Sequence, residues 1–82
     1  LAEGLDLFTV PVPRSLVGQS IAAARIRDTT GCNVLAVRPP NGKATPADPH
    51  APLAGGGEIV LLGDRNAARA FFARYQPGAR RD

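Results

Sequence analysis

The sequence contains few of the residues that carry disulfide, metal or aromatic chemistry. Its 82 residues include no methionine or tryptophan, one cysteine, one histidine, one tyrosine and three phenylalanines. A single cysteine excludes an internal disulfide framework and a zinc site built from several cysteines. No apolar run approaches the ~20 residues needed to span a bilayer, and the first residues do not resemble a signal peptide. We therefore expect a soluble chain. Because it begins at Leu1 and lacks methionine, we also expect a piece of a longer polypeptide or a processed product.

The residue combinations needed for catalysis are also missing. An enzyme requires a nucleophile with a base, a carboxylate pair or a metal cluster, and none is evident here. His50, the only histidine, lies beside a proline and is interpreted as an exposed loop residue. The glycines at 55–57 precede a strand and no lysine follows them, so they do not form a phosphate-binding loop. Asp48 and Asp64 lack the clustered acidic neighbours of a calcium site. We predict that the protein is not an enzyme and holds no metal.

The length and the charge of the chain limit the kinds of partner that it can bind. A chain of 82 residues allows one small domain, which buries only about 60% of its unfolded surface, so a homodimer is the natural expectation. Ten basic residues against seven acidic ones give a net charge of +3. No aromatic residues are interleaved with this charge and no recognition helix is evident, which argues against direct contact with nucleic acid. The basic excess is concentrated near the C-terminus, in Arg65, Arg69, Arg74, Arg80 and Arg81.

The residues that are present favour an α+β fold, a small β-α-β-β-β-α domain with a mixed or antiparallel sheet and helices packed on it. Alternation and apolar runs predict strands at residues 5–12, 33–38, 43–45 and 58–62. The last strand is almost continuously apolar and should be central, and the strand at 33–38 should be covered on both faces. The first strand ends at Pro11, which cannot donate to a ladder, so we place it at an edge open to a second copy.

Two helices are predicted between and after these strands. The first begins near Gly18 to Ser20, with one of these two residues as its cap, and continues through an alanine-rich run. We expect it to loosen into a turn over residues 26–30 and to end at Gly31 with a positive φ. The second helix spans 65–75 behind an Asp64 cap, and its apolar stripe should be core. That stripe consists of Ala67, Ala68, Phe71, Phe72 and Tyr75.

Two stretches of the chain carry a recognisable pattern. The first, at 13–38, contains Pro-x-Ser-Leu-Val-Gly-x-Ser and, later, Thr-Gly-Cys-Asn-Val-Leu-Ala-Val-Arg. The second, at 53–63, is Leu-Ala-Gly-Gly-Gly-Glu-Ile-Val-Leu-Leu-Gly. Together they resemble the TrkA-C domain, the C-terminal lobe of regulators of potassium conductance. We therefore interpret residues 1–76 as a TrkA-C-like regulatory domain and residues 77–82 as a flexible basic tail.

Two further features, the loop before the last strand and Cys32, each allow two interpretations. The loop from Thr45 to Gly57 is rich in proline and glycine, and both an ordered surface loop and a linker fit that composition. In the resembling family a leucine at the position of Leu53 is tucked under the sheet, which favours the ordered loop. Cys32 stands beside a predicted strand and is interpreted as a small packed apolar residue, with a reactive thiol as the alternative.

A candidate binding site lies around the first helix. A guanidinium from Arg25 or Arg27 beside the backbone groups that follow the turn would form a physically sensible cradle for phosphate. In some members of the resembling family, a dimer binds cyclic di-AMP between its subunits. The resemblance matches five positions residue by residue and adds two neighbours, giving the candidate set Ile21, Arg25, Arg27, Asn33, Val34, Pro49 and His50.

This chain also departs from the family pattern. Ala22 stands at the second aliphatic position, Arg25 stands where an acid is usual, and Pro46-Ala47 replaces an Asn-Pro pair. A second interpretation therefore stays open, in which Arg27 and Asn33 only satisfy backbone carbonyls at the helix end.

The resemblance implies a dimeric regulatory domain of a membrane-embedded potassium or cation channel or transporter. It would lie at the cytoplasmic face of a bacterial or archaeal cell membrane without inserting into it. Cyclic di-AMP is the implied regulatory ligand. The alternative is a ligand-free dimerisation module attached to another permease or to a DNA-binding regulator.

Overall fold

The structure, a computed structural model, describes residues 3–75. The predicted tail at 77–82 lies outside the described residues. The chain forms four strands, β1 to β4, three α-helices, α1 to α3, and one 3-10 turn. In chain order these are β1 (Asp6–Pro11), the 3-10 turn (Arg14–Leu16), α1 (Ile21–Ala24), α2 (Ile26–Thr30), β2 (Asn33–Arg38), β3 (Thr45–Pro46), β4 (Glu58–Gly63) and α3 (Arg65–Arg74). None of these helices is long and apolar enough to cross a bilayer.

The strands form one antiparallel sheet with the order β1-β4-β2-β3. The predicted central position of β4 and the edge position of β1 are both confirmed. The third strand was predicted to begin at Lys43, but it begins at Thr45. Two residues outside the sheet separate it from the turn at 39–42. It then stops at Pro46, which has no N–H to donate to the ladder.

Among the described residues, helices cover only one face of the sheet. Side chains alternate along a strand, so β4 places Ile59, Leu61 and Gly63 on a buried face and its other residues on a half-buried face. Helix α2 contacts α3 and β2, and α3 contacts β4 on the buried face. The prediction that β2 is covered on both faces is wrong: Leu35, at a bulge between Val34 and Ala36, is 44% exposed.

The core lies between the covered face of the sheet and the helices. Its members are Val10, Leu16, Ile26, Cys32, Leu53, Ile59, Leu61, Ala67, Phe71 and Tyr75. The burial of Cys32 and of Leu53 confirms their predicted packing roles. Phe72 was predicted to lie in the core, but the prediction is wrong because its side chain is 40% exposed. It stacks on Phe8 of the edge strand with the ring centroids 5.8 Å apart, and no further element of the described chain covers it.

The first helix differs most from expectation. Ser20 caps α1 as predicted, its Oγ accepting a hydrogen bond from the Ala23 N–H at 3.0 Å. The break comes earlier than expected, at Arg25 in the left-handed region (φ 54°, ψ 45°), and residues 26–30 are helical. None of the residues of α1 is buried, whereas Ile26 is 1% exposed. The break therefore redirects the chain so that α2 can place Ile26 in the core, and Gly31 ends α2 with φ 87° as predicted.

The last helix forms as the sequence predicts. The Asp64 side chain accepts a hydrogen bond from the Ala67 N–H at 2.8 Å and satisfies one of the free amides of the first turn. Buried residues follow at helical spacing, at Ala67, Phe71 and Tyr75.

Candidate ligand-binding site

The proline-rich loop before β4 is held against α1 and β2 by backbone hydrogen bonds. The Ala22 N–H donates to the Pro49 carbonyl at 2.9 Å, and the Ala47 N–H donates to the Leu35 carbonyl at 3.0 Å. Farther along the loop, the Leu53 N–H donates to the Gln19 carbonyl at 2.9 Å. The segment is therefore an ordered loop and not a linker. It brings Pro49 to the first turn of α1.

The beginning of β2 precedes Leu35, whose carbonyl accepts a hydrogen bond from this loop. β3 pairs only with Ala36 and Val37 of β2. Within residues 3–75 no strand pairs with Asn33 or Val34 on the side away from β4. This stretch of β2 therefore keeps an edge without a strand partner, next to the segment that holds Pro49. Backbone groups at such an edge can receive a ligand or another chain.

The other residues of the predicted site differ in their burial. Ile21 is half-buried at the start of α1, and Val34 packs against the core. Arg27 and His50 are exposed. The His50 N–H donates to the Asp48 carboxylate at 2.9 Å, which stabilises the turn of the loop. Among residues 3–75, the hydrogen bond between Ala22 and Pro49 links the start of α1, where Ile21 lies, to the loop of Pro49 and His50. An aliphatic surface, a cation and backbone groups are the combination that would suit a nucleobase attached to a phosphate.

The alternative interpretation holds that the side chains of Arg27 and Asn33 only satisfy backbone carbonyls at the helix end, and no hydrogen bond supports it. In the part of the chain that the structure describes, neither side chain donates to a helix-end carbonyl. The Arg27 carbonyl itself accepts from the Gly31 N–H at 2.8 Å. The turn is therefore closed by backbone and threonine groups: the Thr30 hydroxyl donates to the Ile26 carbonyl at 2.7 Å. The Arg27 guanidinium has no structural partner among the described residues.

Arg25 lies apart from the other candidates. Its Nε and Nη2 donate to the same Asp28 carboxylate oxygen at 3.2 and 3.1 Å. The side chain lines a cleft toward the end of α3, and none of the other candidate residues lines that cleft. Sequence spacing alone did not reveal this, because an uninterrupted helix was expected at Arg25. Within the described residues no group of histidine, cysteine and carboxylate side chains is arranged to hold a metal ion.

A model of the TrkA-C domain family matches residues 7–76. The chain belongs to the TrkA-C family. The family predicted from the two sequence stretches is therefore confirmed, together with its α+β fold. Among curated proteins, no sequence matches this TrkA-C domain.

Solved structures of RCK domains are similar to this TrkA-C domain. The GsuK RCK domain matches with 29% identity and a TM-score of 0.81 over 90% of this chain. The match covers only 17% of that chain. The RCK C domain of the potassium transport protein KtrA, solved with c-di-AMP, matches with 22% identity and a TM-score of 0.78 over 89% of this chain and 86% of its own.

A third similar structure comes from a protein that has also been solved with DNA. The RCK_C domain dimer of S. agalactiae BusR, in complex with c-di-AMP, matches with 19% identity and a TM-score of 0.75, over 92% of this chain and 95% of its own. Another BusR structure contains its busAB-promotor DNA. At these identities the KtrA and BusR matches establish the shared fold. They do not establish a ligand or a partner for the present TrkA-C domain.

Proposed function

We propose that this domain is a dimerising, ligand-sensing regulatory domain of a potassium or other cation channel or transporter, acting at the cytoplasmic face of the membrane. Its ligand is cyclic di-AMP, bound between two copies, and the domain itself performs no catalysis. Family membership supports the regulatory role. The similar structures of KtrA and BusR that contain c-di-AMP support the choice of ligand.

The observation that supports the site most is the hydrogen bond from the Ala22 N–H to the Pro49 carbonyl at 2.9 Å. It holds the loop that carries Pro49 beside α1. The proposed site combines this loop with the open edge at Asn33 and Val34. In the proposed complex, Ile21 and Val34 contact the base and Asn33 binds its polar edge. Arg27 supplies a charge-assisted hydrogen bond to phosphate. His50, next to Pro49, lies at the rim of the site.

Binding between two copies provides the regulatory step. A ligand that contacts both subunits stabilises the arrangement in which both halves of the site are complete. The attached channel or transporter then responds according to the difference in ligand affinity between its two states. The domain needs no chemical reaction for this role.

Calorimetric titration of the chain with c-di-AMP tests the proposal. We expect saturable binding, and Arg27→Ala should weaken it by about tenfold to a hundredfold, since a hydrogen bond to a charged group contributes about 1.5–3 kcal/mol. Arg69→Ala is the matched control because Arg69 is exposed on α3, outside the proposed site. Absence of heat at high ligand concentration, or equal affinity of Arg27→Ala and the unmodified chain, would contradict the ligand assignment.

A ligand-free dimerisation module is the second candidate, attached to another permease or to a DNA-binding regulator. Arg25 favours it: this residue stands at the position where the family has an acid, and it pairs with Asp28 in a different cleft. In that case the chain would self-associate without binding c-di-AMP, and Arg27→Ala would leave regulation unchanged. We still expect the domain itself to make no direct contact with nucleic acid, even if an attached domain binds DNA.

A further inference from the structure

The cleft that Arg25 lines lies on the side of α1 and α2 that faces the end of α3. It has a volume of about 850 Å³ and runs between the 3-10 turn, the α1–α2 break and the last turn of α3. Its polar lining includes Gln19, Arg25, Asp28, Arg74 and Tyr75. A volume of this size exceeds that of a bare ion and falls in the range of small-molecule sites, about 300–1,000 Å³.

The Tyr75 hydroxyl is the most informative group in the cleft. Tyr75 is only 7% exposed, and its hydroxyl oxygen accepts a hydrogen bond from Arg74 Nε at 3.3 Å. Among residues 3–75, no group accepts the hydroxyl proton in return. Buried tyrosine hydroxyls normally find a partner, because an unpaired buried donor costs free energy. The proton is therefore available to an acceptor in the cleft.

The charges in the cleft favour an anionic acceptor. Arg74 lies over the Tyr75 ring, 5.7 Å from its centroid, and uses its Nε on the hydroxyl. Its terminal nitrogens have no acceptor in the described chain. Arg25 uses Nε and Nη2 on Asp28 and retains Nη1. Two guanidinium groups against one carboxylate leave the cleft with a net positive charge, which favours an anionic ligand.

We propose that this cleft binds a small organic anion. The ligand's carboxylate or phosphate group accepts hydrogen bonds from the Tyr75 hydroxyl and from the guanidinium groups of Arg74 and Arg25. The Asp28 carboxylate and the Gln19 amide oxygen accept hydrogen bonds from hydroxyl groups on the ligand body. This site is separate from the proposed c-di-AMP site, because only Arg25 of the earlier candidates lines it.

The test is a titration of the 82-residue chain, followed by amide chemical shifts and by tyrosine fluorescence. Tyr75 is the only tyrosine and the chain has no tryptophan, so its fluorescence reports on this cleft alone. Glycerol 3-phosphate and malate serve as probes for the phosphate and carboxylate forms, with sodium chloride at equal ionic strength as the control. We expect saturable changes at millimolar concentration for at least one of the two probes.

Three variants separate a built site from general charge attraction. Tyr75→Phe keeps the ring and removes the hydroxyl, and Arg74→Gln removes one guanidinium. Each should weaken binding, followed by amide shifts, by about tenfold. Arg69→Gln, on the same helix but outside the cleft, should not change it. Affinity for c-di-AMP should be unchanged in Tyr75→Phe, which separates this site from the proposed function.

Several outcomes would overturn the proposal. One is the lack of a saturable change with either probe, and another is an equal loss of affinity in Arg69→Gln and Arg74→Gln. If Tyr75→Phe unfolds, the comparison of Arg74→Gln with Arg69→Gln still decides the question. Unchanged probe affinity in a folded Arg74→Gln variant would leave the cleft without a role in anion binding.

Discussion

Cys32 illustrates how its surroundings determine the chemistry of a single residue. The residue is fully buried, and burial raises the pKa of the thiol above its ordinary value. A hydrogen bond with Thr30 lowers that pKa, and the Asp64 carboxylate raises it slightly further. The folded state therefore holds the thiol in its neutral form. The reactive thiolate that an exposed cysteine would present is disfavoured.

This shift predicts a dependence of stability on pH. The unfolded chain loses the Cys32 proton near pH 8.5, whereas the folded chain keeps it to higher pH. The contribution is present below the unfolded pKa and is lost as the pH rises toward the folded pKa. The free energy of unfolding should fall above about pH 8.5, by at most about 1.4 kcal/mol per pH unit.

Urea unfolding between pH 7 and pH 9.5 measures this effect. Cys32→Ala is the control, because it lacks the titrating group and should show no decline from this source. The variant will be less stable at every pH, since it leaves a small cavity. Parallel curves for the two proteins would contradict the predicted shift.

At the scale of elements, the entry of the loop into β4 depends on close approach to the end of β2. The consecutive glycines at 55–57 each have a different role in the structure. Gly56 has φ 81°, which favours glycine. Gly57 is buried, and a Cβ placed there would lie 2.5 Å from the Arg38 carbonyl oxygen. Gly55 has ordinary space, with the nearest atoms 3.6 Å away on Val17.

The contrast predicts opposite sensitivities to alanine. Gly57→Ala must displace the backbone of either β2 or the loop, and we expect it to destabilise the fold by about 1–3 kcal/mol. Gly55→Ala should change the free energy of unfolding by less than about 0.5 kcal/mol. Chemical unfolding of both variants at neutral pH is the measurement. Equal unfolding midpoints for the two variants would mean that the loop and β2 can move apart without loss of stability.

At the scale of the whole molecule, exposed apolar residues in the described part of the chain offer two candidate surfaces for a partner. One lies along the edge strand, where Leu5 and Leu7 are 38% and 48% exposed, near Phe72. The other lies at the bulge of β2, where Leu35 is 44% exposed beside the proposed ligand site. Exposed apolar residues that cluster beside an open strand edge mark an interaction surface. If two copies share c-di-AMP at the proposed site, the dimer contact is expected at the second surface.

The two surfaces can be distinguished by charge substitution. Leu35→Glu should weaken self-association at least about tenfold, because it would bury a carboxylate at the contact. Leu7→Glu, a comparably exposed leucine on β1, should leave the dimer intact. Sedimentation equilibrium measures both dissociation constants. Dissociation by Leu7→Glu alone would instead place the contact at the free edge of β1.

Much of the fold follows from the sequence because local signals and burial agree. The apolar run at 58–62 predicted the central strand, and Asp64 with the spacing of Ala67, Phe71 and Tyr75 predicted the last helix. Ser20, Gly31 and the two family signatures fixed the beginning of α1, the end of α2 and the fold class. In each case a residue's own conformational or apolar preference coincides with its place in the structure.

Other features depend on contacts between residues distant in the chain. Arg25 takes a left-handed conformation that arginine does not favour, because Ile26 must reach the core. Phe72 satisfies the helical spacing yet lies outside the core, since the sheet ends at β1. The loop bonds that bring Pro49 to α1, and the cleft that joins Arg25 to Tyr75, exist only once the elements pack. The sequence determined the elements and the family, and tertiary packing decided which side chains share a site.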